Sequence, residues 1–200
     1  MRRVEPPFCA RCGTVLTSGT LCSRCRDHPL RIDCIRSVFH FEGTLRDAVH
    51  RFKYDGLSVL ATPLGELMAA YLMEHRLPAD VLVPVPLHPA RVRDRGYNQS
   101  ALLTQAMAGD GSVPVDAHSL VRRRSTVPQV GLKAGERLQN VAGAFGCSGD
   151  ALAGRDVLVI DDVCTTGATL EACAIALREA GARSVRALTL ARANSGDDAR

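Results

Sequence analysis

Val157-Leu158-Val159-Ile160-Asp161-Asp162-Val163-Cys164-Thr165-Thr166-Gly167-Ala168-Thr169 is the stretch that decides the fold of this 200-residue chain. Four apolar, mostly β-branched residues run without alternation into two adjacent carboxylates, as a strand buried on both faces does when it ends at a ligand site. The hydroxyl- and glycine-rich turn Thr165 to Thr169 follows at once and opens a helix whose apolar side is Leu170, Cys173, Ala174 and Leu177. A strand, a Gly/Thr loop and a helix N-terminus together present backbone N–H groups and the positive end of the helix dipole to an anion. Carboxylates beside that anion hole accept hydrogen bonds from sugar hydroxyls. The device reads as a holder for a ribose 5-phosphate, and the competing reading is an ordinary strand-turn-helix connection with an acidic cap.

The rest of the chain alternates strand and helix patterns around this unit. Ile35 to Phe41 reads as a strand, and Leu45, Ala48, Val49 and Phe52 lie along one helix face that stops near Tyr54-Asp55-Gly56. A second helix is expected from Val59 to His75, then a strand over Asp80 to Val85, which Pro84 restricts to a strand end or an edge. Ala101, Leu102, Gln105 and Ala106 mark a further helix, Val113 to Leu120 a strand, and Ser184 to Leu190 the last strand. Val141 to Phe145 leads into a Gly-Cys-Ser-Gly-Asp turn. The fold class expected is α/β, a doubly wound, mainly parallel sheet with its ligand at the carboxyl ends of the strands.

Composition limits the alternatives. Two hundred residues with 46% apolar content supply one core and a small appendage. The longest apolar run, Leu67 to Met73, is too short to span a bilayer, and no apolar segment at the N-terminus resembles a signal peptide. The expectation is a cytoplasmic protein without membrane insertion. Six arginines through Arg31 against Glu5 and Asp27 give the head a net +4, the whole of the chain's formal charge. That is a weak hint of nucleic-acid binding, beside the alternative of a solvated arginine-rich surface.

Four of the eight cysteines lie as Cys9-x-x-Cys12 and Cys22-x-x-Cys25. Paired spacing of this kind suits tetrahedral zinc where disulfides are disfavoured, with redox chemistry as the alternative. Gly13 lets the tight turn aim backbone N–H groups at the sulfurs. So short a segment builds no core of its own, so the metal would supply its folding energy. Four thiolates on Zn²⁺ carry −2, which offsets half the head's charge. The domain reading is a zinc head over 1–31, a second domain over 32–193 that carries the 157–169 unit, and a polar tail over 194–200.

Two more segments complete the expected site. His88, Arg91, Arg93 and Arg95 lie on an expected loop, Pro86 to Gly96, after the strand ending near Val85, where guanidinium forks suit a pyrophosphate, although solvated arginines before a helix would look the same. The arginine-rich stretch from Arg122 to Arg137 reads either as a loop closing over charged substrate or as an exposed connector.

The 157–169 stretch resembles the PRPP-binding motif of type I phosphoribosyltransferases, and lacks the Gly-Lys of a Walker loop. The resemblance implies that Asp161 and Asp162 hold the ribose 2- and 3-hydroxyls as the catalytic pair. Val163, Cys164, Thr165, Thr166, Gly167, Ala168 and Thr169 would form the loop around the 5-phosphate. The cysteine head, Lys53-Tyr54-Asp55-Gly56, Pro84-Val85-Pro86-Leu87-His88-Pro89, Arg91, Arg95-Gly96-Tyr97-Asn98-Gln99, Thr126-x-Pro128-Gln129, Arg137-x-x-Asn140-Val141 and Ala144-Phe145 extend the likeness. Together they resemble the ComF family, in which a zinc finger is joined to a phosphoribosyltransferase domain, from Cys9 to about Arg192. That resemblance implies Mg²⁺-dependent transfer of a phosphoribosyl group with loss of pyrophosphate, a glycosyl (pentosyl) transfer to an unspecified acceptor. It also implies the alternative of a non-catalytic accessory to DNA uptake in natural transformation. Such a protein would bind single-stranded DNA, act with a helicase partner and sense PRPP. Where purine-salvage relatives carry an aspartate as proton acceptor this chain has Thr165, which disfavours a purine acceptor near neutral pH.

Overall fold

A computed structural model describes residues 1–109, 111, 113–124 and 140–193. Its parallel sheet has the order β1 (Cys34–His40), β6 (Ser184–Arg192), β5 (Asp156–Cys164) and β2 (Val81–Pro84). Alternation along the strands assigns the two faces. Leu82, Leu158, Ile160, Leu188 and Leu190 pack against Leu45, Val49 and Phe52 of α2 (Gly43–Tyr54), Leu64, Met68 and Tyr71 of α3 (Ala61–His75), and Leu103 and Met107 of α5 (Gln99–Ala108). Val81, Val83, Val157, Val159, Val185 and Ala187 pack against Leu170, Cys173, Ala174 and Leu177 of α6 (Ala168–Glu179). A two-stranded antiparallel ribbon, β3 (Leu120–Arg122) with β4 (Phe145–Cys147), covers the same face. Both faces of β5 are therefore dry, which is why its sequence is apolar without alternation.

The expected doubly wound, parallel architecture is what the chain adopts. The crossover from β5 through α6 to β6 runs in one direction. The crossover from β2 through α4 (Pro89–Arg95) and α5 to a parallel bridge at Val115 runs in the other. The point of divergence lies between the carboxyl ends of β5 and β2, the position where such sheets leave a ligand crevice. Both sheet edges are covered: Val115 bridges Leu82 on one side, and Arg3 bridges Phe39 antiparallel on the other.

Three expectations are corrected in detail. Val113 to Leu120 is not a strand, because Asp116 turns its carboxylate onto the N–H groups of His118 and Ser119 (2.9 and 2.8 Å) and breaks the ladder after Val115. The helix expected from Val59 begins at Ala61, after a short 3₁₀ turn over Ser58–Leu60. β5 runs on past the carboxylates to Cys164, still paired with β6. The stretch over 125–139, with Arg137, and the tail over 194–200 lie outside the described residues.

Candidate active site and metal centre

Pro84 ends β2, since proline has no N–H to continue a ladder. The β2–β5 register stops at Pro84 and Ile160, while the β5–β6 register continues to Cys164 and Arg192. Asp161 and Asp162 thus project just beyond the end of β2. Asp162 is buried, and its Oδ1 lies 2.9 Å from Lys53 Nζ, delivered by the last turn of α2. Asp161 Oδ1 accepts from Ser100 Oγ (2.8 Å) and from the N–H of Asp162 (2.9 Å). Asn98 caps α5 by accepting from Ser100 N (3.1 Å) and donates its Nδ2 to Val85 O (3.0 Å), so the segment after β2 is tied to the helix that holds Ser100.

Electrostatics separates these groups. Burial pushes Asp161 up to about 7, the adjacent charge of Asp162 adds to the rise, and Lys53 and Ser100 only partly oppose it. For Lys53, burial favours loss of the proton, but the charge of Asp162 and the hydrogen bond to it hold its pKa above the ordinary lysine value. The cluster therefore contains a lysine whose charge is held in place beside a carboxyl group pushed up to about 7.

Gly167 is the N-cap of α6 with φ of +80°, and a Cβ there would approach Ile35 Cδ1 to 3.0 Å. Glycine is required on both counts. No side chain caps the helix from Gly167, and Ala168 N reaches Thr166 Oγ1 only at 3.4 Å. A small hollow lined by Asp161, Val163, Cys164, Thr165, Ala168 and Thr169 lies at this positive helix end.

The arginine segment is not a loop but the short helix α4, which Pro89 and the His88 cap start, and its side chains divide. His88 is the cap of α4, its Nδ1 accepting from Ala90 N at 3.3 Å. Arg95 donates to Gln99 Oε1 at 2.6 Å and lies over the Tyr54 ring at 5.2 Å, while Arg93 is exposed. Arg91 lies within electrostatic reach of Arg122 on β3. There burial, then Arg91, lowers the Arg122 pKa, and Asp161 partly opposes them. Lys53 and Ser100 are the partners of the acidic pair that sequence reasoning missed. Lys53 stood in the quoted Lys-Tyr-Asp-Gly motif, but nothing local connects it to Asp162.

The sulfurs of Cys9, Cys12, Cys22 and Cys25 all lie within 4.8 Å of one another, with Cys12 and Cys22 at 3.7 Å. Tetrahedral Zn²⁺ with Zn–S bonds of about 2.3 Å requires sulfur separations of about 3.8 Å, so the four residues fit zinc and leave no open position. Burial raises the Cys9 thiol, but backbone N–H groups of Cys22, Cys12 and Arg11 outweigh it and bring it down to about 6. The left-handed Gly13 (φ +72°) makes that turn. The head's arginines are largely engaged within the molecule: Arg2 pairs with Glu42 (2.7 Å), Arg3 with Glu74 (2.8 Å), Arg11 reaches Ile32 O and Arg24 reaches Thr166 O. Arg26 and Arg31 are exposed. The head is thus a poorer basic patch than its composition suggests.

The family model of the phosphoribosyl transferase domain matches residues 117–200. Competence protein F of Haemophilus influenzae is 32% identical over 94% of this chain and 85% of its own length. The chain belongs to the ComF family. A second ComF-type relative, DNA utilization protein YhgH of Escherichia coli, is 32% identical over 95% of this chain and 86% of its own length. Among solved structures, the chain is similar to the glutamine PRPP amidotransferase of B. subtilis complexed with ADP and GMP. That match is 23% identical, covers 64% of this chain and 25% of that one, and has a TM-score of 0.44. The ComF assignment carries a type I phosphoribosyltransferase fold with a cysteine cluster suited to zinc. Among the described residues no helix is long and apolar enough to cross a membrane.

Proposed function

We propose that this ComF protein binds PRPP at Asp161 to Thr169 and transfers its phosphoribosyl group to an amine or another nucleophile, releasing pyrophosphate. The observation that carries the reading is the placement of two carboxylates and a helix N-terminus capped only by glycine at the divergence point between β5 and β2. Asp161 and Asp162 would accept hydrogen bonds from the ribose 2- and 3-hydroxyls, with Lys53 and Ser100 fixing their orientation. The turn Thr165 to Thr169 would receive the 5-phosphate on backbone N–H and hydroxyl groups. Departure of pyrophosphate leaves positive character at the ribose C1, an oxocarbenium-like state that the nearby carboxylates favour. Mg²⁺, arriving with the pyrophosphate, would neutralise the leaving charge. Arg91, with His88, Arg93 and Arg95 nearby and Arg137 from the segment beyond, is the proposed source of guanidinium contacts. Calorimetry with PRPP and Mg²⁺ tests the reading: binding is expected, and it should be lost when Asp161→Asn and Asp162→Asn are combined. Equal binding by the double variant would overturn it.

The names of the relatives, a competence protein and a DNA utilization protein, motivate a second reading. In it the chain is a non-catalytic accessory that binds single-stranded DNA and a helicase partner and uses the pocket to sense PRPP. Its affinity for single-stranded DNA should then fall steeply with salt, as arginines displace counterions from phosphates. Release of pyrophosphate from PRPP in the presence of candidate acceptors separates the two readings.

A further inference from the structure

We propose that the four-cysteine head is the rear support of the phosphate loop, held to it by Arg24 and Arg192 as positioning residues, so that metal occupancy sets the pocket's affinity for a sugar phosphate. The inference rests on the reading of Thr165 to Thr169 as a phosphate site.

Arg24 lies between two of the metal ligands, on the single-turn helix α1 (Ser23–Asp27). Its Nη1 donates to Thr166 O at 2.8 Å, across 142 residues of sequence. Ligation of Cys22 and Cys25 would therefore fix the base of the side chain that holds the middle of the loop. Arg192 makes the second link. It ends β6 opposite Cys164, the residue before Thr165, and is only 5% exposed. Its Nη1 donates to Cys12 O at 2.5 Å and lies 3.2 Å from Cys164 Sγ, while Nη2 donates to Thr14 Oγ1 at 2.7 Å. One rigid guanidinium fork thus joins the metal knuckle to the start of the loop.

Ile35 fills the space between the two. Its N–H donates to Arg11 O at 2.7 Å, and a Cβ on Gly13 would come within 2.5 Å of Ile35 O. On the other side its Cδ1 would be 3.0 Å from a Cβ on Gly167. Knuckle, strand β1 and phosphate loop are therefore in direct succession through Ile35. The head's own buried cluster consists of Cys9, Cys12 and Cys25, so the ligands are its core. Beside the cysteines only the partly buried Leu16 and Leu30 pack there among the described residues, so without metal little apolar contact remains to hold Arg24 and the Cys12 carbonyl in place.

The test uses the full chain with ribose 5-phosphate as probe, calorimetry, and hydrogen exchange over residues 163–169. Zinc-loaded Arg24→Ala should keep one metal per chain, bind the probe about tenfold more weakly and exchange faster over 163–169, the effect of losing one charge-assisted hydrogen bond. Arg24→Lys, which can still donate to the carbonyl, should recover part of the affinity. Wild-type affinity with wild-type exchange in Arg24→Ala overturns the proposal. If the wild-type chain fails to bind ribose 5-phosphate, the sugar-phosphate reading falls, and exchange alone decides the coupling: faster in zinc-loaded Arg24→Ala supports it, unchanged refutes it. Should Arg24→Ala not fold, removal of zinc from the wild type decides. Faster exchange at 163–169 with 157–160 still protected supports the coupling, and unchanged exchange, or loss of protection throughout the chain, refutes it.

Discussion

At the scale of single residues, the acidic pair is asymmetric because its two members face different neighbours. Asp162 is paired with Lys53 and is 8% exposed, against 23% for the lysine side chain. Lys53→Met would leave that carboxylate without its cation and should cost about 3 kcal/mol, the lower end of the range for orphaning a buried charge, since Lys53 keeps some solvent contact. Adding Asp162→Asn should recover much of the loss, so denaturant melts of the double variant should show clear non-additivity. Asp161 behaves oppositely. Its folded pKa of about 7 stands above an ordinary value of 3.8, so the folded chain holds this proton more tightly than the unfolded chain does. Stability from this group is fully present below the unfolded value and lost as pH rises to about 7, at up to about 1.4 kcal/mol per pH unit within that window. Asp161→Asn should remove that slope. Melting temperatures of variant and wild type at pH 5 and pH 8 check it, and a constant difference between them would refute it.

At the scale of elements, the site depends on how closely α5 approaches α3. Gly65 makes the approach possible: a Cβ there would lie 2.4 Å from Ala106 Cβ and 3.1 Å from Leu103 O. Neither neighbour is a flexible side-chain end that can swing aside. Gly65→Ala gains up to about 1 kcal/mol of helix propensity but meets an overpacking cost of about 1–3 kcal/mol, so packing should win. The melting temperature should fall by a few degrees, roughly 2–4 °C for each kcal/mol lost in a chain of this size. Because α5 carries Ser100, PRPP binding should weaken with it, a change that an isolated packing defect remote from the site would not produce. No fall in melting temperature would show that the two helices separate freely.

At the scale of the whole molecule, the head belongs to the sheet as much as to its metal. Val4 N donates to Val38 O (3.0 Å) and His40 N to Arg2 O (2.9 Å), which extends β1 with an antiparallel segment before the first cysteine. Glu171 of α6 accepts from the N–H groups of Arg31 and Ile32 (2.7 and 3.1 Å), where the head meets the core. Metal analysis of purified, untagged protein under reducing conditions should find one zinc per chain, with Zn–S distances of about 2.3 Å by X-ray absorption. Substantially less than one would refute the four-cysteine site. Cys12→Ser should lose the metal and lower the melting temperature of the chain as a whole, because the same residues carry both metal and interface.

What the sequence determined by itself was contiguous in the chain. The unit from Val157 to Leu177 places strand, carboxylates, glycine cap and helix within one stretch, so local preference and hydrophobic pattern suffice to read it. The cysteine spacing likewise announces four ligands, since a metal demands a fixed donor set at short range. The tertiary structure alone decided that Lys53 faces Asp162, that Ser100 holds Asp161, and that Arg24 and Arg192 look inward rather than to a nucleic acid. It also placed Leu120 to Arg122 in a separate ribbon, after Asp116 diverted the backbone. Those outcomes depend on side chains meeting across long separations, through a parallel sheet whose crossovers bring distant segments to one end. A charged residue carries no mark in the sequence of the partner it will find. Burial and register select that partner once the strands have paired.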